Sequence, residues 1–128
     1  MKSKVRPSKI NFVIEGKDKP SYKEKNLLYQ GDTLSFLKDL PSKNRFQLIV
    51  TSPPYNIGKE YEKSQKFEEY IDEQKEYAVL LTKHLSDSGS LCWQVGNYVE
   101  NGERLPLDLF FVPIFRELGL KLRNRIIW

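Results

Sequence analysis

The sequence predicts an α/β fold in which helices cover a parallel or mixed sheet. Three observations carry the prediction: short apolar runs bounded by turn residues, a helical spacing of apolar residues between two of those runs, and a steady alternation of the two patterns along the chain. Ile10 to Ile14 reads as a short strand and Leu27 to Gln30 as a better one, running into Gly31-Asp32. Asp32 or Thr33 is placed to cap a short helix through Asp39. Phe46 to Thr51 is the expected central buried strand. Asn56 to about Lys66 has little periodicity and mixes charges around Gly58, which predicts a mobile loop. From Phe67 the residues Tyr70, Ile71, Tyr77, Leu80, Leu81 and Leu85 recur at mostly helical spacing, predicting a helix to about Ser86.

Asp87-Ser88-Gly89 then turns the chain into a strand from Ser90 to Val95, and Gly96-Asn97 turns it out again. A further turn falls at Asn101-Gly102-Glu103. Pro106 suits the first turn of a helix through Leu118, with Gly119 as its stop and Pro113 as a potential kink. Leu120 to Trp128 reads as the last strand. The alternation as a whole describes a partial Rossmann-like layer, without repeats or low-complexity segments.

Composition narrows the class. The 128 residues are 39% hydrophobic and 30% charged, which suits one small domain with a thin core unless something else covers it. The net charge of +4 is unevenly placed: residues 1–25 hold eight basic and three acidic side chains, +5, so the rest carries −1. That basic arm suits contact with phosphates as well as plain solvation. The single cysteine, Cys92, excludes an internal disulfide and is expected as a buried thiol; a zinc site is not on offer. No segment approaches the ~20 apolar residues of a membrane span, so a cytoplasmic protein is expected.

The segment richest in chemistry is Thr51-Ser52-Pro53-Pro54-Tyr55-Asn56-Ile57-Gly58-Lys59, directly after the apolar run Phe46 to Val50. Two prolines fix φ and carry no N–H, so the chain must leave the sheet after Ser52 with carbonyls that need no ladder partner. An exocyclic amino nitrogen on a nucleobase is a poor nucleophile, because its lone pair is delocalised and positive charge builds on it during attack. Acceptors aimed at its hydrogens, here the Ser52 hydroxyl and the Pro53 carbonyl, favour that charged state. Tyr55 could stack on a base taken out of the duplex.

Ser52-Pro53-Pro54-Tyr55 resembles the catalytic tetrapeptide of the amino-group DNA methyltransferases that use S-adenosylmethionine. Leu28-Tyr29-Gln30-Gly31-Asp32, Leu34, Leu37 and Leu40-Pro41 are similar to the lead-in of the permuted class, in which the catalytic motif precedes the cofactor glycine motif. Gly89-Ser90-Leu91-Cys92-Trp93 and Leu122 to Trp128 look like strands of that family, so the likeness runs from about residue 26 onward. Beyond the basic arm of residues 1–25, the resemblance implies the N-terminal, catalytic-motif part of a methyltransferase domain over 26–128. It implies methyl transfer to N4 of cytosine or N6 of adenine in double-stranded DNA, of restriction-modification type, with Ser52, Pro53, Pro54 and Tyr55 catalytic. Asp32 and Thr51 would then serve the cofactor, and Asn56 and Lys59 the substrate path. Asp32 matches the family's Gly-Asp pair near the cofactor adenine and is equally placed as a helix N-cap.

One family feature is missing. No two of the seven glycines stand two apart, whereas the family carries a Phe-x-Gly-x-Gly turn. The expectation is the N-terminal half of an enzyme, completed by a C-terminal half or partner chain and inactive alone. Two alternatives stay open: a remnant or subunit without turnover, and a protein glutamine methyltransferase, whose related Asn-Pro-Pro-Tyr holds a side-chain amide. His84, the only histidine, is expected at the surface or against a helix dipole. Trp93 and Trp128 are expected in the core, and Arg123 and Arg125 on one exposed sheet face.

Overall fold

The element order is strand, strand, helix, strand, helix, three strands and a helix, in a computed structural model that describes residues 11–13, 27–41, 46–56 and 65–127. The chain divides into two units, Met1–Leu40 and Pro41–Trp128.

In the first unit, β1 (Asn11–Val13) pairs in parallel with β2 (Leu27–Tyr29), Phe12 opposite Leu28. Helix α1 (Thr33–Asp39) follows because Asp32 caps it: the Asp32 backbone is extended and its Oδ1 accepts from the Ser35 N–H at 2.8 Å. The helix ends at Leu40, whose ψ of 126° is the extended value that a following proline imposes, here Pro41. Leu37 and Leu40 are buried, and the rings of Tyr29 and Phe36 stack at 4.7 Å.

The second unit is organised by a parallel pair, β3 (Phe46–Thr51) and β4 (Leu85–Trp93), joined by the long helix α2 (Phe67–His84). Tyr70, Gln74, Ala78, Leu81 and His84 are the buried residues of α2, and their spacing puts them on one face. Glu68 and Glu69 in its first turn and Lys83 in its last complement the helix dipole. α2 ends two residues before the expected Ser86, and β4 begins at once. The expected turn at Asp87-Ser88-Gly89 lies inside β4 as a break in register. Phe46 stands opposite Leu85 and Leu48 opposite Ser90, so two steps along β3 match five along β4. Gly89 fits that break because a Cβ there would lie 2.8 Å from the Phe46 carbonyl oxygen. The strand then ends at Trp93, not Val95.

The expected turn at Asn101-Gly102 is present, with φ of 50° and 82°, the pair of positive values that a two-residue hairpin requires. It joins two strands absent from the sequence reading, β5 (Asn97–Glu100) and β6 (Glu103–Pro106). Pro106 therefore closes a strand opposite Asn97 and does not open a helix; α3 starts at Asp108 and runs through Pro113 to Glu117. Gly119 stops it as expected, at φ 88°, in a complete Schellman motif. The Leu120 N–H donates to the Phe115 carbonyl at 2.9 Å, and the Gly119 N–H to that of Arg116 at 3.0 Å.

The core is Tyr70, Ala78, Tyr98, Leu107, Phe111 and Ile114, with Tyr55, Phe67, Trp93 and Phe115 packed against it. Trp93 is thus against the core as expected, edge-on to Phe115 at 5.2 Å and tilted against Phe111 at 5.5 Å. His84 is buried, which corrects its expected surface position: α2's stripe turns it inward.

Three expectations about the sheet are also corrected. β3 is not buried: Leu48 is 59% and Val50 69% exposed, because among the described residues only β4 pairs with it and its Leu48/Val50 face is bare. Cys92, opposite Val50 on that same face, is exposed for the same reason. Residues 120–127 form no strand; a strand needs a neighbour for its N–H and C=O groups, and no described residue offers a ladder to them. Arg125 instead pairs with Asp108, Nε to Oδ2 at 2.6 Å. The described strands form three two-stranded sheets, compatible with α/β, where the sequence predicts a single layer.

Candidate functional site

The tetrapeptide leaves the sheet where the prolines require. Thr51, opposite Trp93, ends β3, and its carbonyl accepts from the Gln94 N–H at 2.9 Å, one last bond before the chain turns away. Ser52 is exposed and its Oγ lies 3.1 Å from the Tyr55 hydroxyl, a hydrogen bond in which either can donate. The hydroxyl expected to accept from an amino group and the ring expected to stack on its base therefore meet at one point. The Ser52 hydroxyl has a second lone pair beyond this bond.

The body of the site is held from the core side. Tyr55 is half-buried and packs against the core cluster. Gly96, just beyond β4, leaves room for its ring: a Cβ at position 96 would sit 3.0 Å from Tyr55 Cδ2 and 3.1 Å from Cε2. The Tyr70 hydroxyl, on the buried face of α2, donates to the Pro54 carbonyl at 2.7 Å. Neither Gly96 nor Tyr70 stands out in the sequence, where Tyr70 belongs to an apolar stripe. A phenol on a stripe that must be buried carries a signal nonetheless, because its hydroxyl needs a partner inside.

Asn56 is 8% exposed with φ of 58°, a left-handed conformation that asparagine tolerates. Its amide holds Gln65 from both sides: Nδ2 donates to the Gln65 carbonyl at 2.8 Å, and the Gln65 N–H donates to Oδ1 at 3.2 Å. The side chain placed by sequence on the substrate path is thus committed to backbone. Gln65 is anchored further by its own Nε2, which donates to Glu73 Oε2 on α2 at 2.8 Å. Lys59, Gly58 and most of the expected loop lie outside the described residues, as do Trp128 and all of the basic arm except residues 11–13.

Asp32, in the other unit, is the N-cap of α1 in the structure. Its Oδ1 accepts from both the Ser35 N–H and the Ser35 hydroxyl, at 2.8 and 2.7 Å. Those bonds, the backbone one first, hold its carboxyl below the usual 3.8. The group stays ionised and exposed, with acceptor capacity left for a ligand. Among the described residues no group of acidic, His or Cys side chains is placed to hold a metal ion, and no helix is long and apolar enough to cross a membrane.

Comparison with known proteins places this geometry in a family. The family model described as DNA methylase, for N6 and N4 methyltransferases, matches residues 46–128. The Type II methyltransferase M.BglII of Bacillus subtilis is 47% identical over 104 residues, covering 80% of this chain and 29% of that protein. M.ScaI of Streptomyces caespitosus is 36% identical over 110 residues, 83% of this chain and 36% of its own length. M.MjaVI of Methanocaldococcus jannaschii is 34% identical over 93 residues, 70% of this chain and 47% of its own. The chain thus spans between 29% and 47% of the length of these three relatives. No solved structure matches it. With the tetrapeptide inside the matched region, and the match covering most of the chain, this protein belongs to the N6/N4 DNA methylase family.

Proposed function

We propose that this chain is the catalytic-motif portion of a Type II DNA methyltransferase that transfers a methyl group from S-adenosylmethionine to an exocyclic amino nitrogen, N4 of cytosine or N6 of adenine. The observation that carries the reading is the convergence at the end of β3, where the hydroxyls of Ser52 and Tyr55 lie 3.1 Å apart at the exit of a proline turn. Ser52 Oγ and the Pro53 carbonyl accept the hydrogens of the target amino group and favour the charge that develops on its nitrogen. Tyr55 offers a ring to a base out of the stack. Ser52, where aspartate is common in adenine enzymes, leans the choice of base toward cytosine.

S-adenosylmethionine supplies an electrophilic methyl group on a sulfonium. Asp32 fits a role in holding it, being ionised, exposed and at the carboxyl end of a strand, where open α/β sheets bind ligands. Thr51 stands at the same kind of position on β3. Asn56 and Lys59 are the proposed substrate-side residues, Asn56 through the chain it positions.

Transfer further requires a C-terminal portion or partner chain that carries the glycine turn. Parallel sheets are apolar on both faces because both are covered. Here Leu48 and Val50 of β3 are apolar and exposed beside Cys92. That face is the proposed seat for helices of the remaining portion, whose strands would extend the sheet at its edges, a reading supported by the greater length of the relatives.

Calorimetry with S-adenosylmethionine, on this chain alone and on its mixture with the protein encoded immediately downstream, tests the proposal. Binding in the mixture only is the expected result; binding in neither would leave a chain without turnover. In the active mixture, Ser52→Ala and Tyr55→Ala are expected to abolish methylation of duplex DNA without loss of folding. Full activity in both would remove the tetrapeptide from the mechanism.

A further inference from the structure

Tyr70 joins the buried face of α2 to the catalytic loop. It is 1% exposed, sits edge-on to Phe111 at 6.3 Å, and donates from its hydroxyl to the Pro54 carbonyl at 2.7 Å across sixteen residues of sequence. The carbonyl it binds lies one residue beyond that of Pro53, which the proposed chemistry uses, so the bond does not compete for the acceptor.

The peptide plane between Pro54 and Tyr55 contains the Pro54 carbonyl and the Tyr55 nitrogen. A hydrogen bond from a side chain locked in the core fixes the direction of that carbonyl. It thereby fixes the plane from which the Tyr55 side chain departs. Proline already holds φ of residue 54, so ψ is the soft torsion left at that residue, and the Tyr70 bond restrains it. Downstream of that plane, Tyr55 meets Gly96 along one side of its ring and Ser52 Oγ at its hydroxyl.

We propose that Tyr70 is a positioning residue for the Ser52-Pro53-Pro54-Tyr55 site, setting the orientation of Tyr55 and, through their hydrogen bond, of Ser52 Oγ, without touching substrate. This inference rests on the methyltransferase reading of the tetrapeptide. A misplacement on the scale of one ångström at a reacting centre costs about 100-fold in rate. Loss of the Tyr70 hydroxyl therefore acts on kcat more than on cofactor binding.

Tyr70→Phe keeps the ring in the core and removes only the hydroxyl. In the chain alone, with Pro54 labelled at its carbonyl carbon, the variant is expected to shift the Pro54 carbonyl resonance upfield and to move the Tyr55 ring signals. Unchanged signals at both would overturn the proposal without reference to activity. In the active mixture the same variant is expected to lower kcat about 10- to 100-fold, with KM for S-adenosylmethionine changed by less than about twofold. Wild-type kcat in Tyr70→Phe, while Ser52→Ala is inactive, would sink the inference and leave the tetrapeptide reading standing. An active Ser52→Ala would sink that reading instead. Should Tyr70→Phe fail to fold, 3,5-difluorotyrosine at position 70 retains both ring and donor with a lower hydroxyl pKa. A more acidic phenol is a stronger donor, so the Pro54 carbonyl resonance must then move downfield; an unchanged resonance would overturn the proposal.

Discussion

The two faces of the β3/β4 pair contrast sharply. The face bearing Ile49, Thr51, Leu91 and Trp93 is half-buried, with Trp93 packed against Phe111 and Phe115 of α3. The face bearing Leu48, Val50, Ser90 and Cys92 is exposed, although two of its residues are β-branched or branched aliphatics of the kind sheets bury. The catalytic loop leaves from the end of this half-covered ladder, yet the packing that holds it comes from Gly96, Tyr70 and the core around Tyr55, none of it on the bare face. A site can thus be locally ordered by one packed layer while the sheet that carries it remains half bare.

That contrast can be broken by substitution. Phe111→Ala, at a residue 2% exposed in the centre of the core, is expected to cost about 3–5 kcal/mol in urea unfolding. Val50→Thr on the bare face should stay within about 0.5 kcal/mol in the chain alone. Equal costs would mean that the bare face is covered in solution. In the mixture with a C-terminal partner, the Val50 substitution is expected to weaken association, which analytical ultracentrifugation would detect.

A smaller effect is expected at Asn56. Replacing it by Ala removes both bonds to Gln65 and leaves part-buried backbone groups unpaired, a loss of about 1–3 kcal/mol. Asn56→Gly, which relieves the left-handed backbone but restores neither bond, should recover only a minor part of it. Full recovery in the glycine variant would show that conformation, not the clasp, is what asparagine supplies.

The smallest effect sharpens the picture of the covered side. Burial, then the Glu100 carboxylate beside it, raises the Tyr98 hydroxyl above its ordinary 10.0. A raised folded-state value means that stability is fully present below pH 10.0 and declines as pH rises toward and through the folded value, because the unfolded chain releases its proton first. Thermal melts from pH 8 upward should show that decline in the wild-type chain and a shallower one in Tyr98→Phe. Parallel curves would place Tyr98 in water.

Much of this organisation was legible in the residues. β3 spans Phe46–Thr51 as expected, α1 is capped by Asp32 and ends at Asp39, and the stops at Asn101-Gly102 and Gly119 stand where predicted. These are local signals, carried by side chains that satisfy their own neighbours' backbone. The failures have one cause in common. Burial of Phe46–Thr51 and Cys92 presumes a layer over the sheet face, and strand formation in 120–127 presumes a neighbouring strand; an apolar run is written for the covered sheet it joins. The hairpin β5/β6 was missed because Glu100, Glu103 and Arg104 obscure the alternation beside an otherwise strong Asn-Gly turn. The tetrapeptide itself could be named from sequence, but its supports, Tyr70 and Gly96, come from separate elements, and only tertiary packing brings them to it.

The paired bonds between Asn56 and Gln65 also join two elements at one residue. Asn56 directly follows the tetrapeptide and Gln65 directly precedes the N-cap of α2, so one amide ties the exit of the catalytic turn to the entry of the long helix. A disturbance at the start of α2 is therefore transmitted to the turn through a single side chain, and the helix and the turn share one anchor.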